Sequence, residues 1–279
     1  MSIPPPDSFG HDHQPGIGGY GAGRPVAPLD DPLIPVDMRG WAERVVGVAR
    51  RSLVPLLTIQ VGVGAFGLAV SVAITPLMPN AGAEPSGAAS IVAVLGLMAA
   101  AVLGILSQSG STYVAIRDAD GHPATAGEGM RFAVRLAPIL VPSGIAAGAL
   151  TMIGFLFVVP GLYFAVVFGA TLIGVLTVER KSVVRCFALV NRRLWPTAGR
   201  MVVALTVAGL YSVVSSFVVH ALSSPQSIAQ AALQAAMAIP LGIGAVGVTT
   251  VTYAELRFVE SPQVTTPQLA REIELPISR

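Results

Sequence analysis

This sequence predicts an all-α integral membrane protein: about six transmembrane helices arranged as three hairpins, each preceded by a short basic interfacial helix. Three observations lead there. The 279 residues are 53% hydrophobic and only 11% charged, with a mean hydropathy of +0.71, a balance outside the range of soluble chains. Six apolar runs of about 17 to 29 residues follow one another, and roughly 20 apolar residues cross a bilayer core. The basic residues, finally, lie in the connections between those runs. A net charge of +2 and a pI near 9.0 therefore speak of membrane insertion, and no nucleic-acid partner is expected.

Residues 1–36 carry Pro4, Pro5 and Pro6, a GIGGYGAG run at 16–23 and scattered Asp, too little apolar surface to offset the entropy of ordering. They are expected to form a disordered cytoplasmic tail. Gly16, Gly18 and Gly21 have the G-x-G-x-x-G spacing of dinucleotide binders. No strand is expected before them and no helix after, so the match implies no cofactor. His11 and His13 flank Asp12, short of the three or four convergent ligands that a metal site needs. No charged segment followed by an apolar one opens the chain, and no cleaved signal peptide is expected.

The polytopic domain is expected over residues 37–258. Asp37 is placed to cap a helix in which Trp41, Val45 and Val48 share one face while Arg44 and Arg51 share another. Such a helix lies in the interface before the chain enters the membrane. Spans are expected at about 53–77, 88–116, 138–159, 162–178, 198–222 and 228–254, from the length of each apolar run. Asp120, Gly121 and Pro123 mark a turn before span three, and a second short basic helix is expected from Met130 to Ala137. Only Pro160 and Gly161 join spans three and four. That hairpin is either re-entrant or fully crossing, and its arms are long enough for the second. The third basic segment, ERKSVVRCFALVNRRLWPTAGRM at 179–201, holds six of the seventeen Lys and Arg. Residues 259–279 read as a polar cytoplasmic tail.

Counted by connection, five Lys and Arg precede span one, three lie between spans two and three, six between four and five, and three follow span six; the other connections hold none. Basic residues are retained on the cytoplasmic side during insertion. Both termini are therefore expected to be cytoplasmic, in a multi-pass plasma-membrane protein. Arg51 to Pro55, Arg135 to Pro138 and Arg193 to Pro196 each close a basic segment with Arg, then Leu, then a Pro that opens a span. The chain thus reads as three copies of one unit, with Pro where a missing N–H costs little.

Candidate chemistry is sparse. No Asp, Glu, Lys or Arg falls well inside an expected span, whereas ion-coupled transporters place such residues near the midplane. Ser107, Gln108, Ser109, Ser111 and Thr112 form a polar cluster that suits interhelical hydrogen bonds. His220 lies near the outer end of span five, without a carboxylate partner in sequence. Gly242, Gly244 and Gly247 repeat the G-x-G-x-x-G spacing inside span six, and Gly144 with Gly148 lie in span three. Both sets are read as close helix packing. The lone Cys186 excludes an intrachain disulfide and reads as a small packing residue. No catalytic, cofactor or metal constellation is expected.

The string LTVERKSVVRCFALVNRRLWPTAGR resembles a segment of the glycerophosphoryl diester phosphodiesterase membrane-domain family, where a Glu after a span is followed by an Ala-Leu pair, a basic pair and an aromatic. PVDMRGWAERVVGVARRSLVPLL, GHPATAGEGMRFAVRLAP, VVPGLYF and TYAELRFVE extend the similarity over roughly residues 36–260. Asn191-Arg192 departs from the family's pattern. The catalytic barrel to which that domain is sometimes fused takes about 230 further soluble residues, so the resemblance implies a stand-alone multi-pass membrane domain without phosphodiesterase activity.

The function expected is that of a non-catalytic scaffold or accessory subunit with basic helices on the inner leaflet. Its expected partners are membrane lipids with anionic headgroups and other membrane proteins. Arg44, Arg50, Arg51, Arg131, Arg135, Arg185, Arg192 and Arg193 are the candidate lipid contacts, each worth on the order of 1 kcal/mol near an anionic surface. A passive or lipid-handling transporter is the alternative, motivated by the repeat and the Ser107–Thr112 cluster.

Overall fold

A computed structural model describes residues 30–74, 87–224 and 227–275. The described residues form an all-α membrane protein with six helices long and apolar enough to cross a bilayer. In chain order the helices are α1 (Met38–Arg51), α2 (Leu53–Ile74), α3 (Gly87–Ala119), α4 (Ala126–Phe155), α5 (Val159–Gly174), α6 (Val184–Asn191), α7 (Leu194–Leu222), α8 (Ile228–Glu260) and α9 (Thr266–Glu274). α5 runs on through a π-helical stretch, Val175–Glu179. The expected hairpins all form, as α2 with α3, α4 with α5 and α7 with α8. α5 and α8 pack on each other and on the other hairpins.

Local chemistry explains the helix starts. Asp37 accepts the Gly40 N–H at 2.6 Å, so α1 begins where its cap predicts. Thr125 and Glu128 form a reciprocal capping box at the start of α4, with Glu128 N–H donating to Thr125 Oγ1 at 3.2 Å and Thr125 N–H to Glu128 Oε2 at 2.7 Å. Pro55 and Pro196 are the third residues of α2 and α7, where the backbone N–H would have no helical acceptor anyway. Pro138 differs. It lies inside α4, together with Pro142, so the basic segment expected as a separate helix at 130–137 is the first part of a continuous span. Packing against α3 holds it there: Gly129, Ala133, Leu136 and Leu140 are buried on one stripe. A Cβ on Gly129 would lie 2.6 Å from the Gly110 carbonyl oxygen, so the two backbones touch.

Both arms of the α4–α5 hairpin are long and apolar enough to cross a bilayer. Its turn brings Gly161 so close to Phe155 that a Cβ there would meet the backbone at 2.6 Å, and Val158 takes a positive φ of 53°. From that turn α5 becomes the most enclosed span, buried over 56% of its apolar window.

Two expected tails are structured where they are described. Residues 1–29 and 276–279, with His11, His13 and the first glycine motif, lie outside the described residues. Leu33 and Ile34, however, are fully buried, and Asp31 accepts their N–H groups at 2.9 and 3.1 Å. At the other end, α8 continues to Glu260 and α9 buries Leu269, Ala270 and Ile273. Composition averaged over a tail hides such short apolar pairs; α9 packs on α3 and on the π-helical stretch, and that burial supplies its ordering energy.

The apolar core concentrates toward the end of the bundle that carries the charges, where Trp41, Leu136, Leu176, Leu189, Tyr253 and Leu256 meet. Toward the other end, Leu97, Met152, Leu156, Phe217 and Leu222 are exposed, as side chains facing lipid would be.

Candidate functional site

The helices deliver an interlocked set of charges to one end of the bundle. Its centre is Glu179, the last residue of the π stretch, whose side chain is 2% exposed. Oε2 of Glu179 accepts from Arg185 Nε at 2.8 Å and lies 3.2 Å from an Arg257 nitrogen and 3.4 Å from Lys181 Nζ. Oε1 accepts the Tyr253 hydroxyl at 3.3 Å. Tyr253 is fully buried, and its ring fills the space beside Gly174, where a Cβ would come within 2.3 Å of it.

Arg185 reaches from α6 to α8, donating to Glu260 Oε1 at 2.7 Å and also to Oε2. The hydrogen bonds that Arg185 donates to Glu260, ahead of the one it donates to Glu179, raise the guanidinium pKa further above its ordinary value. Arg192 lies 3.5 Å from the same carboxylate. Two turns of α7 and α8 are clamped by Glu255, which accepts from Arg193 at 3.1 Å and from Arg200. Arg257 bridges Glu179 to Glu272 of α9, the latter at 2.8 Å. Arg117, at the end of α3, pairs with Glu274.

The backbone at Arg180 is left-handed, with φ 53° and ψ 32°, a conformation that costs a side-chain-bearing residue on the order of 1 kcal/mol. Its guanidinium holds α9 by its last carbonyls, donating to Leu275 O at 2.6 Å and Ile273 O at 2.9 Å.

The eight arginines singled out from sequence divide by environment. Arg185 and Arg193 are held by carboxylates, and Arg192 is paired yet half-exposed. Arg44 donates to Ile34 O at 3.0 Å and Arg51 to Pro32 O at 3.3 Å, pinning the segment before α1. Arg131 is exposed and bonds Gly127 O in its own helix at 3.2 Å. Arg50 and Arg135 are exposed and have no ion pair among the described residues. Positive charge alone does not reveal this division. Glu255 and Glu260 were missed as partners because they lie 55 to 75 residues from Arg200, Arg193 and Arg185 in sequence. A usable signal existed: the two strings ERKSVVR and YAELRFVE each mix both signs at a span end.

The remaining candidates are packing residues. Ser109 Oγ and Thr177 Oγ1 are 3.0 Å apart across α3 and α5, and Ser107, Ser111 and Thr112 are buried beside them. His220 Nδ1 donates to Ser216 O at 2.7 Å within its own helix. Cys186 is fully buried, and that burial, outweighing a hydrogen bond with Thr171, pushes its thiol pKa up to about 11. Of the glycines, Gly144, Gly242 and Gly247 make close contacts with Ile105, Gln60 and Val45, whereas a Cβ on Gly148 or Gly244 would meet nothing within 4 Å.

Comparison of the chain with protein-family models, with curated proteins and with solved structures returned no match.

Proposed function

We infer that the chain is a non-catalytic multi-pass protein of the plasma membrane, a scaffold or accessory subunit whose charged end faces the inner leaflet. The observation that carries this reading is how the charges are spent. Glu179, Glu255, Glu260 and Glu272 each bind arginines from other elements, which stiffens a platform of helix ends instead of leaving a reactive group poised. Orientation follows from the positive-inside rule, since the described Lys and Arg gather at that end.

Two experiments test it. Purification from native membranes in mild detergent, after crosslinking, is expected to bring down a membrane-protein partner in fixed ratio. Isolation of the chain alone under all conditions overturns the accessory role. A Cys introduced at Glu84 is expected to react with an impermeant reagent in intact cells, and protection there overturns the orientation.

A second reading has one observation of its own. A cleft of about 340 Å³ between α2 and α8 is lined by Gln60, Ser71 and Gln234, and Gln60 Nε2 is buried there without an acceptor among the described residues. A mostly apolar cleft between two apolar helices that carries three polar side chains suits a passive or lipid-handling transporter. Lipid translocation in proteoliposomes that is lost on Gln60→Leu supports it; no translocation by the wild-type chain removes it.

A further inference from the structure

We propose that the cavity between α3, α4 and α9 is a binding site for the headgroup of one anionic glycerophospholipid, with Arg135 and Arg180 on its phosphate. The proposal rests on the inner-leaflet reading above and names the site and the ligand within it.

The cavity measures about 740 Å³ and is lined by Arg135 and Arg180 together with Phe132, Pro138, Ile139 and Leu275. That size is within the range of pockets for small ligands. Its mixed character matches a phospholipid at the point where headgroup meets acyl chain. Tyr113 and Phe132 stack with ring centroids 4.5 Å apart and form one wall, and Pro138 and Ile139 lead from it onto the apolar length of α4.

The charge in the cavity is unbalanced. Arg135 has no ion pair among the described residues, in contrast to Arg185 and Arg193. Arg180 gives two nitrogens to the carbonyls of Ile273 and Leu275, but its buried Nε–H has no acceptor among the described residues. A buried unsatisfied donor on a cation is costly, and burial with no counter-anion lowers the Arg180 pKa. Glu274 also lines the cavity, yet its carboxylate is engaged by Arg117. A phosphate diester supplies what is missing, since its oxygens accept from guanidinium groups in charge-assisted pairs. The strained backbone at Arg180 places that side chain under α9, and α9 in turn closes the cavity.

Native mass spectrometry of the full-length chain in mild detergent tests the site, with phosphatidylglycerol and phosphatidylcholine as probes. The wild-type chain is expected to retain one phosphatidylglycerol per protomer in preference to phosphatidylcholine. Arg135→Gln is expected to weaken retention about five-fold or more, while Arg131→Gln, one turn away on the same helix but outside the cavity, leaves it unchanged. Arg180→Gln also releases α9, so Arg135 carries the test. Equal weakening by both variants overturns the pocket in favour of diffuse surface attraction. Equal retention of the two lipids overturns it as well, and displacement by inorganic phosphate shows a free-anion site instead. None of these results changes the labelling of a Cys at Glu84, so the pocket and the orientation fail separately.

Discussion

Asp31, just ahead of the first helix, caps the last one: its Oδ2 accepts the Thr266 backbone N–H at 3.0 Å and its Oδ1 accepts the Thr266 hydroxyl at 2.6 Å. The same carboxylate also takes the N–H groups of Leu33 and Ile34. Thr265, the N-cap residue of α9, makes no capping bond of its own. One side chain therefore joins the two segments that flank the membrane domain. Asp31→Ala leaves several buried donors unpaired at about 1 to 3 kcal/mol each. The expected result is release of α9, read as rapid tryptic cleavage after Arg271 in a chain whose membrane spans stay folded. Unchanged cleavage would falsify the cap.

The Glu255 clamp gives a graded prediction. Its side chain is 4% exposed and faces Arg200, itself 10% exposed. Removing one partner of such a pair costs about 3 to 5 kcal/mol, because the other charge stays buried. Glu255→Gln is expected to reach that range in thermal unfolding in detergent. Arg193→Gln is expected to cost much less, since Arg193 is more exposed and Glu255 keeps Arg200. Replacing Arg200 and Glu255 together by Leu is expected to recover most of the loss. Equal effects of Glu255→Gln and Arg193→Gln would show that the clamp is not where the energy lies.

Two glycines separate packing from propensity. Gly174→Ala forces a methyl group onto the buried Tyr253 ring and is expected to destabilise by about 1 to 3 kcal/mol. Gly148→Ala meets open space and is expected to be neutral or to stabilise by about 0.5 to 1 kcal/mol through helix propensity. Unfolding midpoints of the two variants in one detergent check the contrast.

Cys186 sets a pH expectation. Its thiol pKa stands at about 11 against an ordinary 9.0, so the folded state favours the protonated form. The stabilisation is complete below pH 9 and is lost as pH rises toward 11, because the unfolded thiol ionises first. At neutral pH the thiolate fraction is negligible. Alkylation of Cys186 in the native protein is expected to be far slower than after unfolding, and comparable rates would contradict its burial.

Helix number and pairing were legible because they depend on apolar length and on turns, both local. The ends were less so. Hydropathy stops span six near residue 254 and starts span three near 138, while α8 runs to Glu260 and α4 begins at Ala126. Glu255, Arg257 and Glu260 look like the end of a membrane span until their partners on α6, α7 and α9 are known. Paired charges let a helix continue past the point where isolated ones would end it. The same blindness hid the site: Arg185, Arg192 and Arg193 look alike in sequence, and only the positions of Glu255 and Glu260 decide how far each is neutralised.

By itself, the sequence determined that this chain is a six-span helical membrane protein with its basic residues gathered at one end. Bilayer thickness sets the length of each apolar run, and the alternation of charged and uncharged connections orders them. Only the tertiary structure decided that residues 31–35 and α9 belong to the core, that Pro138 sits inside a helix, and that Arg135 and Arg180 share a cavity while Arg185 and Arg193 do not. Those outcomes depend on contacts between residues far apart in the chain, such as Asp31 with Thr266 or Arg185 with Glu260, and neither composition nor periodicity encodes which distant partner a side chain will meet.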